Sequence, residues 1–347
     1  MHARLAACVI DTGGITMRLV IIPLAVSFAA SLALGQANQV FRLTQNENQQ
    51  ELEEMARVLR GTGNIPQVSI DDLKETVAVE GTAGEIATAD WLVHQLDLPA
   101  NGQFSGVHEY RVPGGTDDVV RVFYVSNAAK PQELQEIAVV LRSVADIRRL
   151  YVYNALKAVA VRGTSQQMSL AAWMVDQLDR PADAAAPAPH EYKLSGDDVA
   201  RVFEMTYPET PQQLQEIVTL IRSVGDIQRL FVYVARRAVV LRATAERVAL
   251  AAWLVNELDK PVNGQTAQQD GTPHEFRLSN DSANLARVFY VAGSPSPQEL
   301  QKVVEQVRAN TGIRRVFVYN ALGALAVRGT VGQVATAEKA LEEMKVQ

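Results

Sequence analysis

Residues 121–181 read RVFYVSNAAKPQELQEIAVVLRSVADIRRLYVYNALKAVAVRGTSQQMSLAAWMVDQLDRP, and residues 201–261 repeat that stretch as RVFEMTYPETPQQLQEIVTLIRSVGDIQRLFVYVARRAVVLRATAERVALAAWLVNELDKP. Two further copies are more diverged but keep the register. Phe41, Phe123, Phe203 and Phe289 anchor the four copies. The same offsets carry Leu52, Leu134, Leu214 and Leu300, then Arg60, Arg142, Arg222 and Arg308, then Thr82, Thr164, Thr244 and Thr330. Trp91, Trp173 and Trp253 share one more offset, where the fourth copy has Lys339. Self-similarity at a fixed period is the mark of a tandem array.

Each unit reads strand, helix, strand, strand, helix. In the second copy Arg121 to Val125 is β-branched and aromatic, which predicts a strand. Pro131 then opens a segment with Leu134, Ile137, Leu141 and Val144 at helical spacing. The third and fourth copies start this helix with Thr210-Pro211 and Ser296-Pro297, a hydroxyl cap before a proline, with Gln213 and Glu299 three residues after the cap. Lys130 stands at the cap position of the second copy and is a weaker start. Arg149 to Tyr153 and Ala158 to Arg162 then form a hairpin. Thr82/Glu85, Thr164/Gln167 and Thr330/Gln333 predict capping boxes for the second helix, whereas Thr244 faces Arg247. Pro99, Pro181 and Pro261 follow that helix, where a proline cannot continue it.

The predicted architecture is α+β, with repeat modules at 38–99, 107–181, 190–261 and 274–347. The intervening stretches, such as Ala182 to Pro189 and Val262 to Pro273, are rich in Pro, Ala, Gly and Gln and read as linkers. On this reading each unit owns a core, and a fragment from Pro189 to Pro261 folds alone. The last three units add a short strand, His108-Glu109-Tyr110, His190-Glu191-Tyr192 and His274-Glu275-Phe276, expected to pair with the strand that follows; the first unit lacks it.

Residues 1–37 read as a leader. Arg18 after Met17 gives a positive start, Leu19 to Leu34 an apolar stretch, and Gly35-Gln36-Ala37 the small residues that a signal peptidase reads. This predicts export, with cleavage near Ala37, synthesis starting at Met17, and membrane contact only through an uncleaved signal. The single cysteine, Cys8, lies before that signal, so the mature chain has no thiol chemistry. Composition is that of a globular protein, 48% hydrophobic and 21% charged, with a formal net charge of -6. That balance argues against a nucleic-acid binder, which needs clustered Lys and Arg.

Taken together, V-F-Y-V, P-Q-E-L, a hairpin, V-R-G-T and L-A-A-W-M-V-D-Q-L-D resemble the periplasmic N-terminal repeat domains of bacterial secretins, the outer-membrane channels of type II and III secretion and of type IV pili. The resemblance spans Val40 to about Met344. It implies a KH-like βαββα module, a periplasmic protein–protein scaffold without catalytic residues, and self-association in a ring or stack or binding to a secretin or pilus component. No strand-rich pore domain follows the fourth repeat, so channel formation is not implied.

No catalytic constellation emerges. Serines and threonines fall at caps and loops, and no cysteine remains to pair with a histidine. The H-E-[YF] strands offer at most two metal ligands per unit, too few for a metal site, and read as solvated edge strands. No unit carries the G-x-x-G loop that KH domains use for single-stranded nucleic acid. The expected set is therefore no catalytic, cofactor or metal residues.

Two surfaces predict partner contacts. On the second strand Val68 and Ile70 set the inward parity, so Leu150/Val152, Leu230/Val232 and Val316/Val318 face the core. The opposite parity carries Tyr151/Tyr153, Phe231/Tyr233 and Phe317/Tyr319, an aromatic outer face for a protein, a peptide or a carbohydrate, unless the linkers cover it. On the second helix Met168, Ala171, Met174, Val175 and Leu178 form the core stripe. Trp173 beside Leu170 points away from it at about 100° per residue, as do Trp253 beside Leu250 and Trp91 beside Thr88. Each tryptophan is expected to pack on the adjoining unit or on a neighbouring subunit, with Lys339 marking a free face.

Overall fold

The computed structural model describes residues 37–45, 48–100, 102, 104, 106–115, 117–181, 184, 185, 190–262, 274–278, 284–291 and 296–345. Residues 1–36 of the leader reading, Cys8 among them, and most of the linker residues lie outside these. The chain from Gln36 to Gln347 is one compact unit.

It is built of four βαββα repeats. The first comprises β1 (Ala37–Arg42), α1 (Gln49–Gly61), β2 (Gln67–Asp71), β3 (Thr76–Gly81) and α2 (Ala83–Leu96). Its antiparallel sheet has the order β1-β3-β2. The second adds β4 (His108–Arg111) before β5 (Val119–Tyr124), α3 (Pro131–Val144), β6 (Arg149–Tyr153), β7 (Ala158–Gly163) and α4 (Ser165–Leu178). The third runs β8 (Glu191–Lys193), β9 (Asp198–Glu204), α5 (Pro211–Gly225), β10 (Arg229–Tyr233), β11 (Ala238–Thr244) and α6 (Ala245–Leu258). The fourth runs β12 (Glu275–Arg277), β13 (Asn284–Tyr290), α7 (Pro297–Thr311), β14 (Arg315–Tyr319), β15 (Ala324–Thr330) and α8 (Val331–Lys345). The added strand lies at the sheet edge, as in β4-β5-β7-β6, and pairs antiparallel with the strand after it, Tyr110 opposite Val120 and Phe276 opposite Ala286.

Local chemistry fixes these elements. Thr82/Glu85 and Thr164/Gln167 form reciprocal capping boxes, as do Thr210/Gln213 and Ser296/Glu299, so backbone donors at five helix starts including Thr330/Gln333 are satisfied by side chains. Thr244 makes no such bond, and Arg247 instead reaches Asp226. After the first helix of each unit the chain turns through a left-handed residue: Asn64, Asp146, Asp226 and Gly312, with φ of 59, 58, 57 and 69°. Asn, Asp and Gly are the residues that tolerate that conformation. Arg60, Arg142, Arg222 and Arg308 each donate to a carbonyl eight residues on, in Val68, Leu150, Leu230 and Val316 of the edge strand, tying the first helix to the sheet.

The cores are not confined to their units. Met55, Leu59, Val77 and Leu92 of the first unit share one apolar cluster with Val120, Val122, Tyr153 and Ala160 of the second. Ile137, Leu141 and Met174 of the second cluster with Ala200, Val202, Tyr233 and Val240 of the third. Ile217, Ile221 and Leu254 of the third cluster with Ala286, Val288, Tyr319 and Ala326 of the fourth. Val304, Val307, Val316 and Leu341 close the fourth unit with residues of that unit alone. Each sheet after the first is buried on both faces, and the repeats form one continuous stack.

Candidate functional site

The junctions between units gather the repeated side chains. The first helix of one unit lies across the outer sheet face of the next: α1 on β6, α3 on β10 and α5 on β14. This corrects the expectation of an aromatic face open to partners or covered by linkers. Tyr153, Tyr233 and Tyr319 are 2, 3 and 2% exposed. Phe231 and Phe317 are half-buried, and only Tyr151, at 39%, keeps substantial contact with solvent. The physical reason is area: a sheet face carrying two aromatics and several small aliphatics is costly to leave wet, at about 25 cal/mol per Å², and the nearest apolar surface is the preceding helix. The tyrosine phenols feel this site. Burial, with the carboxylates of Glu133, Asp179 and Glu136 across the junction, pushes Tyr233 up to about 12. Burial with Glu216 and Asp259 does the same for Tyr319. Tyr153, beside Glu51, Glu54 and Asp97, is raised further still.

A second contact runs through the tryptophans. Trp91 stacks on Tyr110, ring centroids 5.6 Å apart and 24° between planes. Trp173 meets Tyr192 at 5.7 Å and Trp253 meets Phe276 at 5.9 Å. Each pair joins the second helix of one unit to the added edge strand of the next. Leu170 and Leu250 are buried at 1 and 0% and Thr88 at 1%, so this helix carries two buried stripes, one for its own core and one for the junction. Lys339 and Thr336 at the matching places of α8 are exposed.

Polar groups set the register. The Glu54 carboxylate accepts the Asn154 backbone N–H at 2.8 Å and its side-chain amide at 2.7 Å. Glu136 accepts from Val234 N–H at 2.9 Å and Glu216 from Asn320 N–H at 3.1 Å, each at the same hairpin turn of the following unit. Arg162, held by Asp118, donates to the Gly63 carbonyl at 2.6 Å, and Arg328 donates to the Val224 carbonyl at 3.1 Å. A guanidinium at the carbonyl end of a helix also meets its negative dipole end. Asp146–Arg229 and Asp226–Arg315 pair across the second and third junctions. Arg180 and Arg236 both grip Glu204 where the second unit meets the third.

The histidines belong to this framework as well. His108 Nδ1 lies 2.7 Å from Gln95 Oε1, and His274 Nδ1 lies 2.9 Å from Glu257 Oε2, both on the preceding unit. Their strands are therefore not simply solvated, because the second helix of the preceding unit packs over them; of the three strand histidines only His190 is exposed. Among the described residues no group of three His, Cys, Asp or Glu side chains is placed to hold a metal ion.

The helix-on-sheet packing left a trace in sequence that inward-outward parity alone missed. Strands β5 and β7 read V-V-R-V-F-Y and A-V-A-V-R-G, apolar at both parities, and such runs belong to sheets covered on both sides. Glu54, Glu136 and Glu216, followed by Lys302 in the fourth copy, were the polar counterpart of that signal.

No family model matches the chain, and no curated protein does. Among solved structures, ExeD of Aeromonas hydrophila matches with 17% identity over 65% of this chain and 41% of that one, TM-score 0.16. The secretin GspD in complex with the pilotin AspS from ETEC matches with 14% identity over 65% and 38%, TM-score 0.16. The type II secretion system secretin GspD of E. coli K12 matches with 11% identity over 65% and 39%, TM-score 0.16. The chain spans about two fifths of the length of these proteins. A TM-score of this size carries no argument about function. What the fold and the junctions define is a tandem array of βαββα units.

Proposed function

We propose that the chain is a non-enzymatic interaction scaffold, exported to the periplasm, that holds protein partners in a cell-envelope assembly of the secretion or pilus type. The observation that carries this reading is where the repeated side chains go. The aromatics, the paired Glu and Arg residues and two of the three strand histidines are engaged in joining one unit to the next. Residues spent on the junctions hold each unit in a set register on the next, which is what a scaffold needs. The reading of a carbohydrate surface on the aromatic sheet faces loses its support, since the preceding helices occupy those faces.

Cell fractionation and in-cell photo-crosslinking test it together. A photoreactive residue at the exposed position Leu73 or Tyr207 is expected to give adducts with one and the same envelope protein, in a chain recovered from the periplasmic fraction. A cytoplasmic chain, or adducts with no protein in common, would contradict the proposal.

A further inference from the structure

The outward faces of the two terminal units differ in chemistry from every face inside the stack. On the sheet side, the inner junctions present Tyr151/Tyr153, Phe231/Tyr233 and Phe317/Tyr319; the first unit has Ser69 and Asp71 at those places. Where Arg162, Arg242 and Arg328 stand, it has Glu80. Val122, Val202 and Val288 are buried by a preceding helix, whereas the matching Val40 is 60% exposed. On the helix side, Glu54, Glu136 and Glu216 give way to Lys302 in α7. Val58, Val140 and Leu220, each 0% exposed, give way to Gln306, which is exposed together with Lys302. Trp91, Trp173 and Trp253 give way to the exposed Lys339, and the junction aspartates Asp146 and Asp226 to Gly312.

Each replacement removes a component of the inner junction. An α7 laid on the first unit's sheet would bring Gln306 against a face that has lost both aromatics. It would also set Glu80, in place of an arginine, against the negative carbonyl end of a helix, which is repulsive. Polar outer faces on the terminal repeats are what keeps a stack of apolar interfaces from extending without limit, because a helix-to-sheet contact is heterologous and has no built-in closure. We propose that the first and fourth units are end caps: a second copy of the chain does not add along the stack through the helix-to-sheet contact that joins the inner units. This concerns the two faces alone and is independent of what precedes or follows them in a longer chain.

Three proteins based on residues 36–347, the compact span that contains all four cores, test it by sedimentation velocity. One restores the inner pattern on the sheet face with Ser69→Tyr, Asp71→Tyr and Glu80→Arg. A second restores it on the helix face with Lys302→Glu and Gln306→Leu. The third is unaltered. All altered residues but the partly exposed Asp71 are exposed, and circular dichroism checks that each protein keeps its fold. The expected result is that a mixture of the first two shifts to a one-to-one complex, while each alone sediments like the unaltered protein. The helix-face pair, the milder change, can be mixed with a Glu80→Arg single variant if the triple variant does not fold; a shift to complex is again expected. A mixture that stays as dissociated as the unaltered protein overturns the proposal. So does self-association of the unaltered protein that Lys302→Glu abolishes, because the ends would then be joined by that lysine.

Discussion

The carboxylate of Glu54, on the first helix of the first unit, accepts both the backbone N–H and the side-chain amide of Asn154, at the hairpin turn of the second. Glu54 is 5% exposed, so this pair is a desolvated acid satisfied by a neighbouring repeat rather than by water. Replacing Glu54 with Ala strands the Asn154 N–H, at a cost of about 1–3 kcal/mol. Hydrogen exchange should show faster exchange in the turn at Asn154 to Lys157 with little change in β3. Lys302→Ala, at the matching exposed place in α7, is expected to be neutral in the melt.

Trp173 makes the same argument for the aromatic contacts. Truncation to Ala removes the packing on Tyr192 and is expected to cost about 1.5–3 kcal/mol, the value of burying a large apolar side chain. In the full stack the loss should appear as faster hydrogen exchange in β8 and β9. Lys339→Ala is the control, and its thermal midpoint should stay in place.

Gly61 gives a prediction whose sign runs against propensity. Alanine in place of glycine near a helix end ordinarily stabilises by about 0.4–1 kcal/mol. Here a Cβ would lie 1.7 Å from the Tyr151 ring, across the first junction. Gly61→Ala should therefore destabilise, by about 1–3 kcal/mol, as overpacking does. Combining it with Tyr151→Ala should recover most of the loss; a stabilised single variant would show that the ring moves aside freely.

The junction tyrosines set an alkaline limit. Tyr233 and Tyr319 are pushed from 10.0 up to about 12 by burial and by carboxylates across the junction. The folded state thus holds its phenolic protons where the unfolded chain has released them. Their contribution is fully present below pH 10 and is lost as pH rises from about 10 to about 12. Chemical denaturation across that window should show falling stability, and the fall should be smaller in the Tyr233→Phe/Tyr319→Phe double variant. An unchanged slope would place those phenols in solvent.

Much of the fold was legible because repetition supplies its own alignment. Capping boxes at Thr164/Gln167 and Thr330/Gln333, the proline-led helices and the added H-E-[YF] strand were all readable from one unit compared with the next. The second stripe of α4 was readable too, since Trp173 falls off the core phase defined by Met168, Ala171 and Met174. What covers the outer sheet face was not. Parity tells which residues share a face, and Tyr151 and Tyr153 share one, but parity is silent on whether linker, partner or helix lies across it. Contacts such as Glu54 with Asn154 join positions a whole repeat apart, beyond the reach of any local pattern.

The most direct test of the continuous stack is urea unfolding of residues 190–261, the third unit alone, compared with the same unit inside residues 36–347. Alone, it exposes Ala200, Val202, Tyr233, Ala238 and Val240 on its sheet and Leu220 on α5, all buried by its neighbours in the stack. Burial shared with the neighbours is then missing, and units this small are marginal by themselves. The isolated unit is expected to unfold at much lower urea than the stack, or to be unfolded without any. Equal midpoints would contradict the account, because each unit would then be self-sufficient and the junctions merely incidental contacts.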